Sequence, residues 1–158
     1  MDTLVVTGDA RWGQSTLGCV YLLGTGAIIW SSKKQEVTAL SSMEAEYVAA
    51  TSSACQEVWL RRVLGELGQE QKEATKLLCD NKATIAIAKI PALHGRMKHI
   101  DIILQFIRGL INDGMIALRH CEREERVADI LTKAFPFQKL VQFRSMMAVC
   151  NFQLRGKC

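Results

Sequence analysis

Several features that would mark a special class of protein are missing from the chain. It contains no apolar run approaching the eighteen or so residues a membrane-spanning helix needs. Only two prolines occur in its 158 residues, and no stretch is Gly/Ser-rich or blocked with like charge, which excludes a long linker or an extended disordered segment. No Cys-x-x-Cys pair is present and no histidine stands at zinc-ligand spacing from a cysteine, so the common zinc sites are excluded. The opening MDTLVVTGDARWG is too short and too interrupted for a signal peptide. The expected compartment is therefore intracellular, cytoplasmic by default with the nucleus as alternative.

What is present is ordinary globular composition: 49% hydrophobic and 23% charged residues. This is enough for one domain, expected over residues 1–150, with a short tail at 151–158. The apolar company of Cys19, Cys55 and Cys79 predicts buried free thiols, as suits a reducing compartment. The net charge of +4 permits contact with a polyanion without demanding it.

Hydrophobic patterning sets an order of elements. Residues 4–8, 17–23 and 27–32 read as three short strands joined by tight turns, the second turn marked by Gly24-Thr25-Gly26. A long helix follows Ser41 or Ser42, with Glu44 in its first turn and apolar residues recurring at helical spacing from Tyr47 to Leu67. Residues 76–79 read as a strand, 81–89 as a helix, 99–112 as an amphipathic helix, 115–121 as a strand, 124–134 as a helix and 139–149 as a last helix. Three adjacent strands followed by helix-separated ones imply a mixed sheet, antiparallel first and parallel later. Trp30, Tyr47 and Trp59 are expected in the core.

Four acids stand where chemistry would choose them. Asp9 follows the first strand, Glu44 opens the long helix, Asp80 ends the fourth strand and Asp129 lies in the helix after the fifth. Each alone also reads as a turn or cap residue. Together, four like charges in a cleft repel one another unless divalent cations neutralise them. Hard oxygen donors suit Mg2+ or Mn2+, and two such ions about 4 Å apart are the apparatus of phosphodiester cleavage.

The segment from Trp30 to Ala50, WSSKKQEVTALSSMEAEYVAA, closely resembles the pattern W-S-S-K-K-Q-x-x-x-A-L-S-S-x-E-A-E-Y of copia-type retrotransposon ribonuclease H domains, the C-terminal part of the Pol polyprotein. Cys79-Asp80-Asn81, His94-Gly95-Arg96, Lys98-His99-Ile100-Asp101 and Ala128-Asp129-Ile130-Leu131-Thr132-Lys133 agree in order and spacing. The resemblance implies an α/β ribonuclease H-like fold: a five-stranded mixed sheet of order 3-2-1-4-5 with helices on both faces. It implies metal-dependent cleavage of the RNA strand of an RNA–DNA hybrid, with two Mg2+ (or Mn2+) held by Asp9, Glu44, Asp80 and Asp129 as catalytic and metal-binding residues. In this alignment Glu44 is the ligand, and Glu46, about 200° around the helix, is left a supporting or surface role. Lys33, Lys34, Arg96, Lys98 and Lys133 are candidates for the nucleic-acid surface, the alternative for each being a solvated face. His120 occupies the strand from which cellular ribonucleases H offer a mobile histidine for product release; otherwise it is a strand-end residue. The implied partners are the hybrid and the reverse transcriptase domain of the same polyprotein, with no membrane.

The chain departs from that pattern at the first acid. Arg11 stands where the family carries a second Asp, and the charged loop after Trp12 shrinks to Gly13 and Gln14. These changes keep a second reading open: a catalytically decayed or repurposed copy that binds nucleic acid or protein without cutting.

Overall fold

The computed structural model describes residues 3–9, 16–34, 42–89, 98–122 and 124–150, and of 3–9, 42–43, 89 and 98–101 the backbone alone. Strands β1 (Thr3–Asp9), β2 (Thr16–Leu23) and β3 (Gly26–Lys34) come first, then helix α1 (Ser42–Glu66) and strand β4 (Thr75–Cys79). Helices α2 (Lys82–Lys89) and α3 (Lys98–Asn112), strand β5 (Ile116–His120), a 3-10 turn (Val127–Leu131) and helix α4 (Phe137–Met146) complete the order. The β2–β3 hairpin turns on Gly24 at φ +62°, a conformation that costs glycine nothing.

The strands form one sheet in the order β3-β2-β1-β4-β5. The β1–β2 and β2–β3 pairs are antiparallel, whereas β4 pairs in parallel with both β1 and β5. Alternation along β2 divides the core. Leu17, Cys19 and Tyr21 pack with Ala50, Ala54, Leu60 and Leu64 of α1 and with Ile107 and Leu110 of α3. Val20 points the other way, to Val127, Ala128, Phe143 and Met147. Helical elements thus cover both faces, as a sheet apolar on both sides requires.

Helix α1 seats on the sheet along a stripe spaced at three and four residues: Glu46, Ala50, Ser53, Glu57, Leu60 and Leu64, all buried. Its contacts with the sheet include polar ones. Tyr21 donates its hydroxyl to the Ser53 carbonyl at 3.0 Å, and Thr75 donates to Glu57 Oε1 at 2.6 Å. Burial pushes the Glu57 carboxyl above its usual range, against the opposing effects of the Thr75 hydrogen bond and the Arg61 charge.

Several expectations are corrected. Trp30 and Trp59 are 56% and 53% exposed rather than core residues, because each lies off the stripe or strand face its element buries. Cys55 is exposed, while Cys19 and Cys79 are buried as expected. Residues 124–134 do not form a helix. The regular helical segment there is the five-residue 3-10 turn, because tertiary contacts override the local periodicity. A Cβ on Gly18 of β2 would lie 2.7 Å from Thr132 Cγ2 and 2.9 Å from the Ala128 carbonyl oxygen. Glycine at that position is what lets the turn press against the strand backbone. Ser32 of β3 pins it further by donating to the Leu131 carbonyl at 2.9 Å. Residues 151–158 lie outside the described residues. Among the described residues no helix is long and apolar enough to cross a membrane.

Candidate metal centre

The site forms at the end of the sheet where the parallel strands β1 and β4 finish. Asp9 is the last residue of β1, and its backbone pairs with Thr16, which in turn pairs with Lys34. On the other side Cys79, the last residue of β4, pairs with His120, the last of β5. Asp80 follows directly, so Lys34, Asp9, Asp80 and His120 all belong to one edge of the sheet. Lys33, Lys34 and His120 are exposed there. Arg11, the shortened loop after Trp12 and Arg96 lie outside the described residues, as does the side chain of Lys98.

Helix α1 brings carboxylates to that edge. Glu46, Cys79 and Asp80 offer ligand atoms that all lie within 4.8 Å of one another. The Cys79 thiol donates to Glu46 Oε2 at 3.6 Å and is pushed up to about 12, first by burial, with the Glu46 and Asp80 charges adding to it. It is therefore a neutral thiol between two carboxylates. Glu44 is equally buried, at 3% exposure, but it is not a member of the group. Glu46 is no surface residue, at 5% exposure. The signal that points to it is the spacing of the sheet-facing stripe, whose first member it is. That signal was masked because the stripe also contains Ser53 and Glu57.

Asp129 sits in the middle of the 3-10 turn, buried, with Oδ1 lacking a hydrogen-bond partner. Its other oxygen lies 3.4 Å from Lys133 Nζ. Arg126 Nη1 reaches Asp80 Oδ2 at 3.0 Å. Both cations flank the same turn; Arg126 and Asp80 are far apart in the chain and meet only through the fold, whereas Lys133 and Asp129 are four residues apart. The Cys121 thiol ties the region together. Burial first, then the charges of Glu125, Asp80 and Asp129, push it up to about 12 against the pull of Arg126. The backbone of Cys121 donates to the Cys79 carbonyl at 2.9 Å, holding this segment beside β4.

The oxygens of Glu46 and Asp80 in that group suit a hard divalent cation, and Asp129, which is outside the group, has a buried carboxylate oxygen without a partner. An orphaned buried carboxylate oxygen is costly, and a cation is the group that best satisfies it.

No protein-family model matches the chain. Among curated proteins it is 39% identical over 134 residues to the retrovirus-related Pol polyprotein from transposon TNT 1-94 of Nicotiana tabacum, a match covering 85% of this chain and 10% of that protein. Against the corresponding polyprotein from transposon RE1 of Arabidopsis thaliana it is 35% identical over 147 residues, covering 89% of the chain and 10% of the relative. The chain thus spans about a tenth of the length of these curated relatives. Among solved structures, LC11-RNase H1 in complex with RNA/DNA hybrid superposes with a TM-score of 0.60 at 15% identity, over 82% of this chain and 91% of that one. The prototype foamy virus protease–reverse transcriptase superposes at 0.52 and 10% identity, over 94% of this chain and 21% of that one. The chain is therefore a relative of retrotransposon Pol polyproteins, matching one short stretch of them, and it carries the ribonuclease H fold.

Proposed function

We propose that the chain is the ribonuclease H domain of a retrotransposon Pol polyprotein and cuts the RNA strand of RNA–DNA hybrids. The observation that carries this reading is the convergence of Glu46 and Asp80 within one ligand-sized group, at the sheet end where Asp9 finishes β1. In this reading Asp9, Glu46, Asp80 and Asp129 hold two Mg2+ or Mn2+ ions, with Glu46 taking the part the sequence pattern assigns to Glu44. Bound there, such ions supply Lewis acidity to the scissile phosphate and lower the pKa of a water. The chain's own contribution is position. The strand ends fix the positions of Asp9 and Asp80 in the chain, the seating of α1 fixes Glu46, and Gly18 lets the turn that carries Asp129 press against β2. Lys33 and Lys34, exposed on the same sheet edge, face the polyanion as phosphate contacts. Lys133 is a further candidate contact, Arg96 and Lys98 are proposed as contacts from the sequence pattern alone, and His120 stands at the strand end from which it can aid product release.

The RNA/DNA hybrid in the LC11-RNase H1 structure supports the substrate class. The foamy virus protease–reverse transcriptase supports a reverse transcriptase as neighbour within the same polyprotein. The ion pairs Arg126–Asp80 and Lys133–Asp129 favour a second reading, a hybrid-binding copy whose acids pair with basic side chains in place of metal. Cleavage of a labelled RNA–DNA hybrid in Mg2+ and in Mn2+, with Asp80→Asn as control, separates the two. Metal-dependent cutting of the RNA strand that the substitution abolishes supports the enzyme. A folded chain that binds the hybrid and leaves it intact overturns that reading in favour of the second.

A further inference from the structure

Arg126 is positioned to do something the cleavage reaction does not ask for. Its Nη1 lies 3.0 Å from Asp80 Oδ2, with the two side chains only 21% and 18% exposed. Its Nε is buried without a hydrogen-bond partner, and the ion pair with Asp80 is a polar contact that holds the guanidinium in place. Asp80 also belongs to the ligand-sized group with Glu46 and Cys79. One carboxylate thus serves two cations that cannot both have it on the same terms.

We propose that Arg126 is a built-in competitor of the divalent ions: it neutralises Asp80 while the site is empty, must give the carboxylate up for metal to bind, and thereby sets the metal concentration at which the site fills. This rests on the metal-site reading above. Three observations bear on it. The residue belongs to the same short segment as Asp129, next to the first residue of the 3-10 turn, so a movement that frees Asp80 also moves the element carrying another acid. Lys133 makes the parallel contact with Asp129 at 3.4 Å from the turn's other side. The charges of Arg126, Asp80 and Asp129 all act on the single thiol of Cys121, which puts them in one electrostatic neighbourhood. A unit positive charge about 6 Å from a divalent ion in a water-like dielectric weakens its binding on the order of tenfold.

Calorimetric titration with Mn2+ tests the inference directly on the wild type, Arg126→Gln, Arg126→Lys and Asp80→Asn. Arg126→Gln is expected to bind Mn2+ about tenfold more tightly, with a lower metal-free Tm and a larger Tm gain on saturation. Arg126→Lys, which keeps the charge, is expected to stay near the wild type. Should Arg126→Gln unfold, Arg126→Met preserves the aliphatic packing and carries the same expectation. Arg126→Gln (or Arg126→Met) binding no tighter than the wild type, with Asp80→Asn weaker than both, overturns the competitor role alone. Wild type and Asp80→Asn taking up Mn2+ alike, or neither taking it up, overturns the metal site itself and the competitor role with it.

Discussion

Glu46 and Cys79 meet at 3.6 Å, carboxylate to thiol, where the first turns of α1 cross the end of β4. Further along the helix Glu57 bonds Thr75, the first residue of the same strand, at 2.6 Å. Helix α1 therefore lies antiparallel along β4 and is fastened to it by a carboxylate at each end. The rotation of α1 about its axis follows from this seating, and that rotation decides which of its two early glutamates reaches Asp80.

The two glutamates are separable by substitution. Glu46→Gln is expected to lower hybrid cleavage by more than the roughly 10–100-fold typical of losing a group behind the metal ligands. Glu44→Gln is expected to stay within about tenfold of the wild type. Initial rates on a labelled hybrid at saturating Mn2+ measure both, and the opposite ranking would return the ligand role to Glu44.

Gly18 carries the contact that seats the 3-10 turn. In Gly18→Ala the new methyl must displace Thr132 and the Ala128 carbonyl, a backbone atom with little freedom to retreat. The expected cost is about 1–3 kcal/mol of stability. Urea unfolding followed by circular dichroism reads it as a lower midpoint, and an unchanged midpoint would mean that the turn is not held against β2.

Glu57 makes stability depend on pH in the direction opposite to a salt-bridged acid. Its folded-state pKa is raised by burial, so between the unfolded and folded values the native state holds the proton more tightly. Stability from this group is fully present below the unfolded value and is lost as pH rises toward the folded one. Glu57→Gln removes that loss while keeping an oxygen to accept from Thr75. The difference in Tm between variant and wild type is expected to grow in favour of the variant from acidic pH toward neutrality. A difference that is flat with pH would contradict the raised pKa.

Arg61 closes the connection between α1 and β4. It donates to the Glu73 carbonyl at 2.9 Å and to Thr75 Oγ1 at 3.0 Å, and also to the Gln71 carbonyl. Arg61→Ala removes this fork and the cation that favours ionised Glu57. A loss of about 1.5–3 kcal/mol is expected, the scale of hydrogen bonds to a charged group. Thermal unfolding measures the loss, and cleavage of the 69–75 connection by a protease under native conditions is expected to quicken with it.

Residue patterns along the chain suffice to place the five strands and the first three helices in order, the hairpin at Gly24, and Asp9 and Asp80 at strand ends. Those features depend on local chemistry: branched residues in short runs, glycine where φ is positive, and carboxylates just past apolar stretches. The tertiary structure alone decided three things. It chose Glu46 over Glu44 for the group with Asp80, because both lie in the same helical turns and only the seating of α1 on β4 tells them apart. It shortened the expected helix at 124–134 to a 3-10 turn, because contact with Gly18 and Ser32 outweighs a modest helical propensity. It paired Arg126 with Asp80 and left Trp30 and Trp59 at the surface. The pairing with Asp80 and the exposure of the tryptophans depend on which faces are turned toward each other across the sheet, and a one-dimensional pattern of residue types does not carry that information.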